Sequence, residues 1–218
     1  MTITHHPPAE LLAEFATGTL DQAQHLVVAV HTTQCPACRR FIRAMEQLAG
    51  AALEDAPPVP LAPGSFEAVM VRAREIPQRK VSTQEAETPA DVGVDQGLPD
   101  ILRRLPLGKR RWVAPGVSVQ PIVLAGSGKS RSFLLRSAPG TQMLEHSHSG
   151  NELTCVLKGT FSHAGGTFNP GDFDFGDEAV DHRPTVGGDE PCLCVVAMTG
   201  NLRMNGLLGR IISPFIRL

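Results

Sequence analysis

The sequence has no excess of charge of either sign: 20 Lys and Arg stand against 22 Asp and Glu, a net charge of −2 over 218 residues. That balance argues against the broad positive field used to bind nucleic acid and against a solvating tail of like charge. Long hydrophobic runs are missing as well. Runs such as "LVVAV" at 26–30 and "CLCVVAM" at 192–198 fall far short of the roughly 20 residues that span a bilayer. The opening "MTITHHPPAE" has neither the basic start nor the apolar core of a signal peptide. These absences predict a soluble, cytoplasmic chain with no membrane partner and no direct contact with nucleic acid. Cysteine is scarce and odd in number, five in all, so the cysteines cannot all pair internally. In a reducing compartment, metal or redox chemistry is the better expectation for them.

What is present changes character along the chain. "PPAELLAEFATGTL" puts Leu11, Leu12 and Phe15 on one helical face and offers Gly18 as a stop. Asp21 is placed to cap a second helix through His31, although Val27, Val28 and Val30 suit a buried strand equally well. Phe41, Ile42, Met45, Leu48 and Leu53 keep helical spacing over 37–53, and Pro36 suits a first turn. After the Pro-rich break "APPVPLAPG", the segment "SFEAVMVRAREI" predicts a fourth amphipathic helix over 65–76. Residues 77–100 have few large apolar side chains and no period, as a linker would. From Arg111 onward, short β-type runs alternate with Gly, Pro and Asp, which predicts an all-β sandwich or barrel. The expected organisation is a helical domain over 1–85, a linker over 86–110, a β domain over 111–200 and a C-terminal segment over 201–218.

Two clusters carry chemistry. In "HTTQCPACRRFI", His31, Cys35 and Cys38 form H-x3-C-x2-C. A thioredoxin-like redox tip needs an alternating sheet downstream, and none follows. A c-type haem site needs His after Cys38, where Arg39 stands. Zinc fits better, because two thiolates at a helix N-terminus are favoured by its dipole and His31 lies within reach. The fourth ligand is His5 or His6. The second cluster, "GTQMLEHSHSGNELTCVLKG", reads Gly140, His146-x-His148, Glu152 and Gly159. Two imidazoles and a carboxylate suit zinc, iron, manganese or nickel. A fourth ligand must come from a neighbouring strand, and His182 is the candidate. Cys192-Leu-Cys194 places both sulfurs on one side of a strand, as buried small residues or as an oxidisable pair. His163 and Cys155 are candidates for lining the β-domain cavity, although packing or surface is the commoner role for such residues.

The spacing at 140–159 resembles the first cupin motif, G-x5-H-x-H-x3-E-x6-G, at every fixed position. The second motif is kept in part: with Gly171 in register, His182 takes its histidine, while Asp177, Ala179 and Val186 replace the expected Pro, Gly and Asn. The N-terminal pattern resembles zinc-binding anti-sigma domains, and the order of parts resembles the ChrR type of anti-sigma factor along essentially the whole chain. That resemblance implies an all-α zinc domain joined to an all-β cupin barrel. Zinc would be held by His6, His31, Cys35 and Cys38. A second divalent metal, with zinc favoured, would be held by His146, His148, Glu152 and His182. It also implies a non-enzymatic regulator that sequesters an extracytoplasmic-function sigma factor. Release would follow when a small molecule or oxidant, singlet oxygen or organic peroxide, acts on the cupin half. The rival expectations are a metal-dependent, dioxygenase-like cupin enzyme with a helical accessory domain, and a DNA-binding regulator.

Overall fold

The structure is a computed structural model that describes residues 2–75, 98–125, 130–143, 146–177, 183–200 and 202–204, with the backbone alone at 146–148 and 202–204. Four helices open the chain: α1 (Ala9–Thr17), α2 (Gln22–Gln34), α3 (Pro36–Glu54) and α4 (Ser65–Glu75). Gly18 ends α1 in the left-handed conformation, φ 71°, its N–H donating to the Phe15 carbonyl. Asp21 caps α2 by accepting from the N–H groups of Ala23 and Gln24. The same carboxylate also accepts a hydrogen bond from Ser130 at the edge of the β half. The valine-rich segment is therefore helix and not strand. Its buried face is wide, with Leu26 buried and Val27, Val28 and Val30 fully covered, while Ala29 is partly covered and His25 is exposed, so no narrow apolar stripe marks the helix.

The β half is antiparallel throughout. Its main sheet has the order β1 (Arg111–Ala114), β2 (Val117–Pro121), β3 (Arg131–Ser137), β10 (Cys192–Met198), β5 (Glu152–Lys158), β8 (Phe173–Gly176). A three-stranded sheet joins β7 (Gly166–Phe168), β6 (Phe161–His163) and β9 (Thr185–Val186), and β11 (Leu202–Met204) pairs with β4 (His146–His148). Strand β10 shows how the layers meet. Its seven residues are all buried, because each face has its own cover. Leu193, Val195 and Ala197 join the core shared with α1 and α2. Cys192, Cys194, Val196 and Met198 join the barrel core with Phe161, Phe168 and Val186.

Compactness divides the chain differently from the boundaries expected at 85 and 111. Residues 1–46 and 95–218 form one unit, and residues 47–94 form another. In the first unit α2 packs on β10, β5 and β3, so the first two helices and the barrel share one hydrophobic core. The expected linker over 86–110 carries local structure at its end. A short helix, α5 (Asp100–Arg103), buries Leu102 beside Leu98, and Leu107 bridges to Ile122. These apolar side chains anchor 98–110 to the barrel unit; residues 76–97 lie outside the described residues. In the second unit the opposite holds. From Gln47 to Glu75 every residue except Ser65 is exposed, including Leu48, Leu53, Phe66 and Val69.

Candidate metal centre

The junction between α2 and α3 builds the site. Cys35 ends α2 in extended conformation, its N–H donating to the His31 carbonyl. The Arg39 guanidinium donates to the carbonyls of Thr32 and Thr33, which satisfies the helix end. Pro36 opens α3 at once, so Cys38 falls in its first turn, where its N–H lies 3.4 Å from the Cys35 sulfur. His31, a turn back on α2, brings Nε2 to 3.2 Å from the Cys38 sulfur. His6 arrives from the N-terminal strap, Nδ1 lying 3.3 Å from the sulfur of Cys35 and 3.5 Å from that of Cys38.

The four ligand atoms of His6, His31, Cys35 and Cys38 all lie within 4.8 Å of one another. The named separations fit the edges of a tetrahedron with zinc–nitrogen and zinc–sulfur bonds, about 3.5 Å from the bond lengths involved. Of the two candidate fourth ligands, His6 joins the cluster. His5 instead lies tilted against the Phe168 ring, centroids 4.4 Å apart, and 3.6 Å from Asp172. The donor set, two thiols and two imidazoles, suits zinc in a closed structural site. Three of its members are buried and His6 is exposed.

The electrostatics agree with a metal-ready imidazole. Burial drives the His31 pKa down from 6.5 to about 4, against the opposing pull of its hydrogen bond to the Gly171 carbonyl. Nδ1 makes that bond at 2.8 Å, which leaves Nε2 as the lone-pair nitrogen facing Cys38. Burial, with Cys35 alongside, pushes the Cys38 thiol up to about 12, so a metal entering here must displace a thiol proton.

The His31 shift predicts a pH effect on the metal-free protein. Between pH 4 and 6.5 the unfolded chain takes up a proton at this histidine that the folded chain refuses. The stability contribution is therefore complete above about 6.5 and lost as pH falls toward 4, about 3 kcal/mol in all. Urea unfolding of chelator-treated protein at pH 7 and pH 5 should show a larger loss for the wild type than for His31→Gln. Equal losses would contradict the assignment.

An anti-sigma-E factor, ChrR of Cereibacter sphaeroides, is 33% identical to this chain over 222 residues, and the match covers the whole of both proteins. This chain belongs to the ChrR family of anti-sigma factors. The crystal structure of Rhodobacter sphaeroides SigE in complex with the anti-sigma ChrR matches with a TM-score of 0.72 and 29% identity, covering 90% of this chain and 99% of that one. The model of the ChrR cupin-like domain matches residues 107–201. The expected pairing of a helical N-terminal region with an antiparallel cupin-like half is thus the architecture of the ChrR family.

The second expected metal set is described only in part. His146 and His148 lie on β4, paired with β11, and the backbone alone is described there; His182 lies outside the described residues. Glu152 begins β5 opposite Met198 and accepts from the Thr154 hydroxyl at 3.2 Å. Its strand parity matches Thr154 and Val156, the face turned to the barrel core.

Other candidates resolve into packing. His163 pairs with Asp174 at 2.9 Å and stacks against Phe161 and Phe168. Cys155 faces the helices and not the barrel interior, and burial raises its thiol pKa to about 12. The sulfurs of Cys192 and Cys194 stand 3.6 Å apart in the barrel core. The contact with Cys192 and complete burial push the Cys194 thiol well above its usual range, so both reactivity and exposure are low in the folded state.

Proposed function

We propose that this chain binds and inhibits an extracytoplasmic-function sigma factor in the cytoplasm, as a regulator and not an enzyme. Full-length identity to an anti-sigma factor carries this reading. The likeness to a ChrR solved together with SigE supports the choice of partner. Zinc held by His6, His31, Cys35 and Cys38 would fasten the strap, α2 and α3 together, giving rigidity where short helices have little core of their own. The exposed apolar residues of the second unit, above all Phe66 and Val69 on α4, supply a surface that a sigma factor would cover.

In the same reading the cupin half is the sensor. His146, His148, Glu152 and His182 hold a second divalent metal, and photooxidative or organic-peroxide stress acting there weakens the grip on the sigma factor. Among the described residues no helix is long and apolar enough to cross a membrane, in keeping with a signal received inside the cell.

Sensing and inhibition should separate under mutation. Full-length Glu152→Ala or His146→Ala should lose one bound metal and fail to release the sigma factor under singlet oxygen. Affinity for the sigma factor should stay within about 0.5 kcal/mol of wild type. Co-purification, metal analysis and a sigma-dependent reporter measure all three. Normal release by both variants would remove the sensor role from this set.

A further inference from the structure

The strap that delivers His6 does not stand alone. Residues 2–8 form no helix or strand, and what holds them is one turn of the barrel, Asn169–Phe173. Asp172 on that turn is wholly buried. Its Oδ1 accepts from the N–H of Thr4 at 2.7 Å, from the N–H of His5 at 2.9 Å and from the Thr4 hydroxyl at 3.4 Å. Its Oδ2 accepts from the N–H of Asn169 at 2.8 Å, which fixes the turn itself. The next residue, Phe173, donates its N–H to the His5 carbonyl at 3.1 Å. The strap is therefore gripped on both sides of His5, directly before the ligand.

The residue before Asp172 reaches a second ligand. The Gly171 carbonyl is the acceptor for Nδ1 of His31, at 2.8 Å. Gly171 has φ +92°, and a Cβ there would lie 2.7 Å from Cδ1 of the strap residue Ile3, so only glycine lets strap and turn meet this closely. Two adjacent residues of the barrel thus orient two of the four clasp residues, one through the strap backbone and one through the imidazole.

We propose that Asp172 is a positioning residue of the zinc clasp, holding His6 in place through Thr4 and His5 while its neighbour Gly171 sets His31, so that zinc retention by the helical half depends on the barrel. This rests on the reading of the clasp as a zinc site. The consequence is a direct physical route between the two halves. A displacement of the Asn169–Phe173 turn loosens the one exposed ligand, and a lost metal frees the strap. Groups that hydrogen-bond a metal's ligands commonly change its affinity ten- to hundredfold.

The test uses the full-length protein and Zn²⁺ in competition with a chromogenic chelator. Asp172→Asn and Asp172→Ala should weaken zinc binding, about tenfold and about a hundredfold respectively. Asp174→Asn, two residues along the same segment but paired with His163, should leave it unchanged. A shortened chain in which Met1 is followed directly by His5 removes the Thr4 part of the grip and leaves that of His5, so it should weaken zinc in the same direction as Asp172→Asn, even if Asp172→Ala fails to fold. In a His6→Ala background, Asp172→Asn should add no further loss, because the ligand it positions is gone. Wild-type affinity in Asp172→Asn and in the shortened chain would overturn the proposal, as would additive losses in the double variant. A wild type that takes up no zinc would instead overturn the reading of the clasp.

Discussion

Replacing Cys38 by serine should weaken zinc binding at the clasp a hundred- to a thousandfold and lower the melting temperature by about 10 °C. The sulfur stands 3.2 Å from His31 Nε2 and 3.5 Å from His6 Nδ1, so its loss opens a face of the tetrahedron. A structural zinc site contributes on the order of 10–16 kcal/mol of binding free energy. One ligand in four then accounts for about 3–4 kcal/mol, or a hundred- to a thousandfold in zinc affinity. Because metal binds only the folded clasp, that loss appears in stability, and 1 kcal/mol moves the midpoint of a chain this size by about 2–4 °C. Scanning calorimetry with and without zinc checks it. The wild type should melt higher when zinc is present, and that gain should be smaller by about 10 °C in Cys38→Ser. A variant that gains as much stability from zinc as the wild type would place the metal elsewhere.

Much of this was legible in residue spacing, and the gaps have physical causes. Gly18, Asp21 and Pro36 marked helix boundaries because each satisfies or forgoes particular backbone hydrogen bonds. The clasp was legible because Cys35 and Cys38 flank a helix start and His31 falls on the preceding turn. Val27, Val28 and Val30 were ambiguous since the buried face of α2 is wide and partly covered Ala29 is itself apolar, which blurs the period that would mark a helix. The choice between His5 and His6 needed the strap's path, which the barrel turn determines. Nothing in "FNPGDFDFG" reveals that Asp172 faces residues 168 positions away. The anchoring of 98–110 was hidden for a related reason: Leu98 and Leu102 are few, and only the barrel surface makes them core.

The largest effect on function should come from α4. Changing Phe66 and Val69 to aspartate should weaken sigma-factor binding by about a thousandfold, with the melting temperature unchanged. Both side chains sit on one helical face at i, i+3 and are largely exposed, 68% and 62%. Each therefore adds little to the chain's own stability, where surface changes usually stay within about 0.5 kcal/mol. At an interface an apolar anchor is commonly worth about 2 kcal/mol or more, and a buried charge in its place adds a desolvation cost. Two such positions give about 4 kcal/mol. An 11-residue helix with no buried residue has little to hold it in isolation. A partner that covers its apolar face supplies what the chain itself does not.

The most direct measurement is the affinity of purified full-length protein for its extracytoplasmic-function sigma factor, by calorimetry, for the wild type and for the Phe66→Asp, Val69→Asp variant at equal zinc content. The account predicts a tight one-to-one complex for the wild type and its loss in the variant. A wild type that binds no sigma factor, or a variant that binds it equally well, would contradict it.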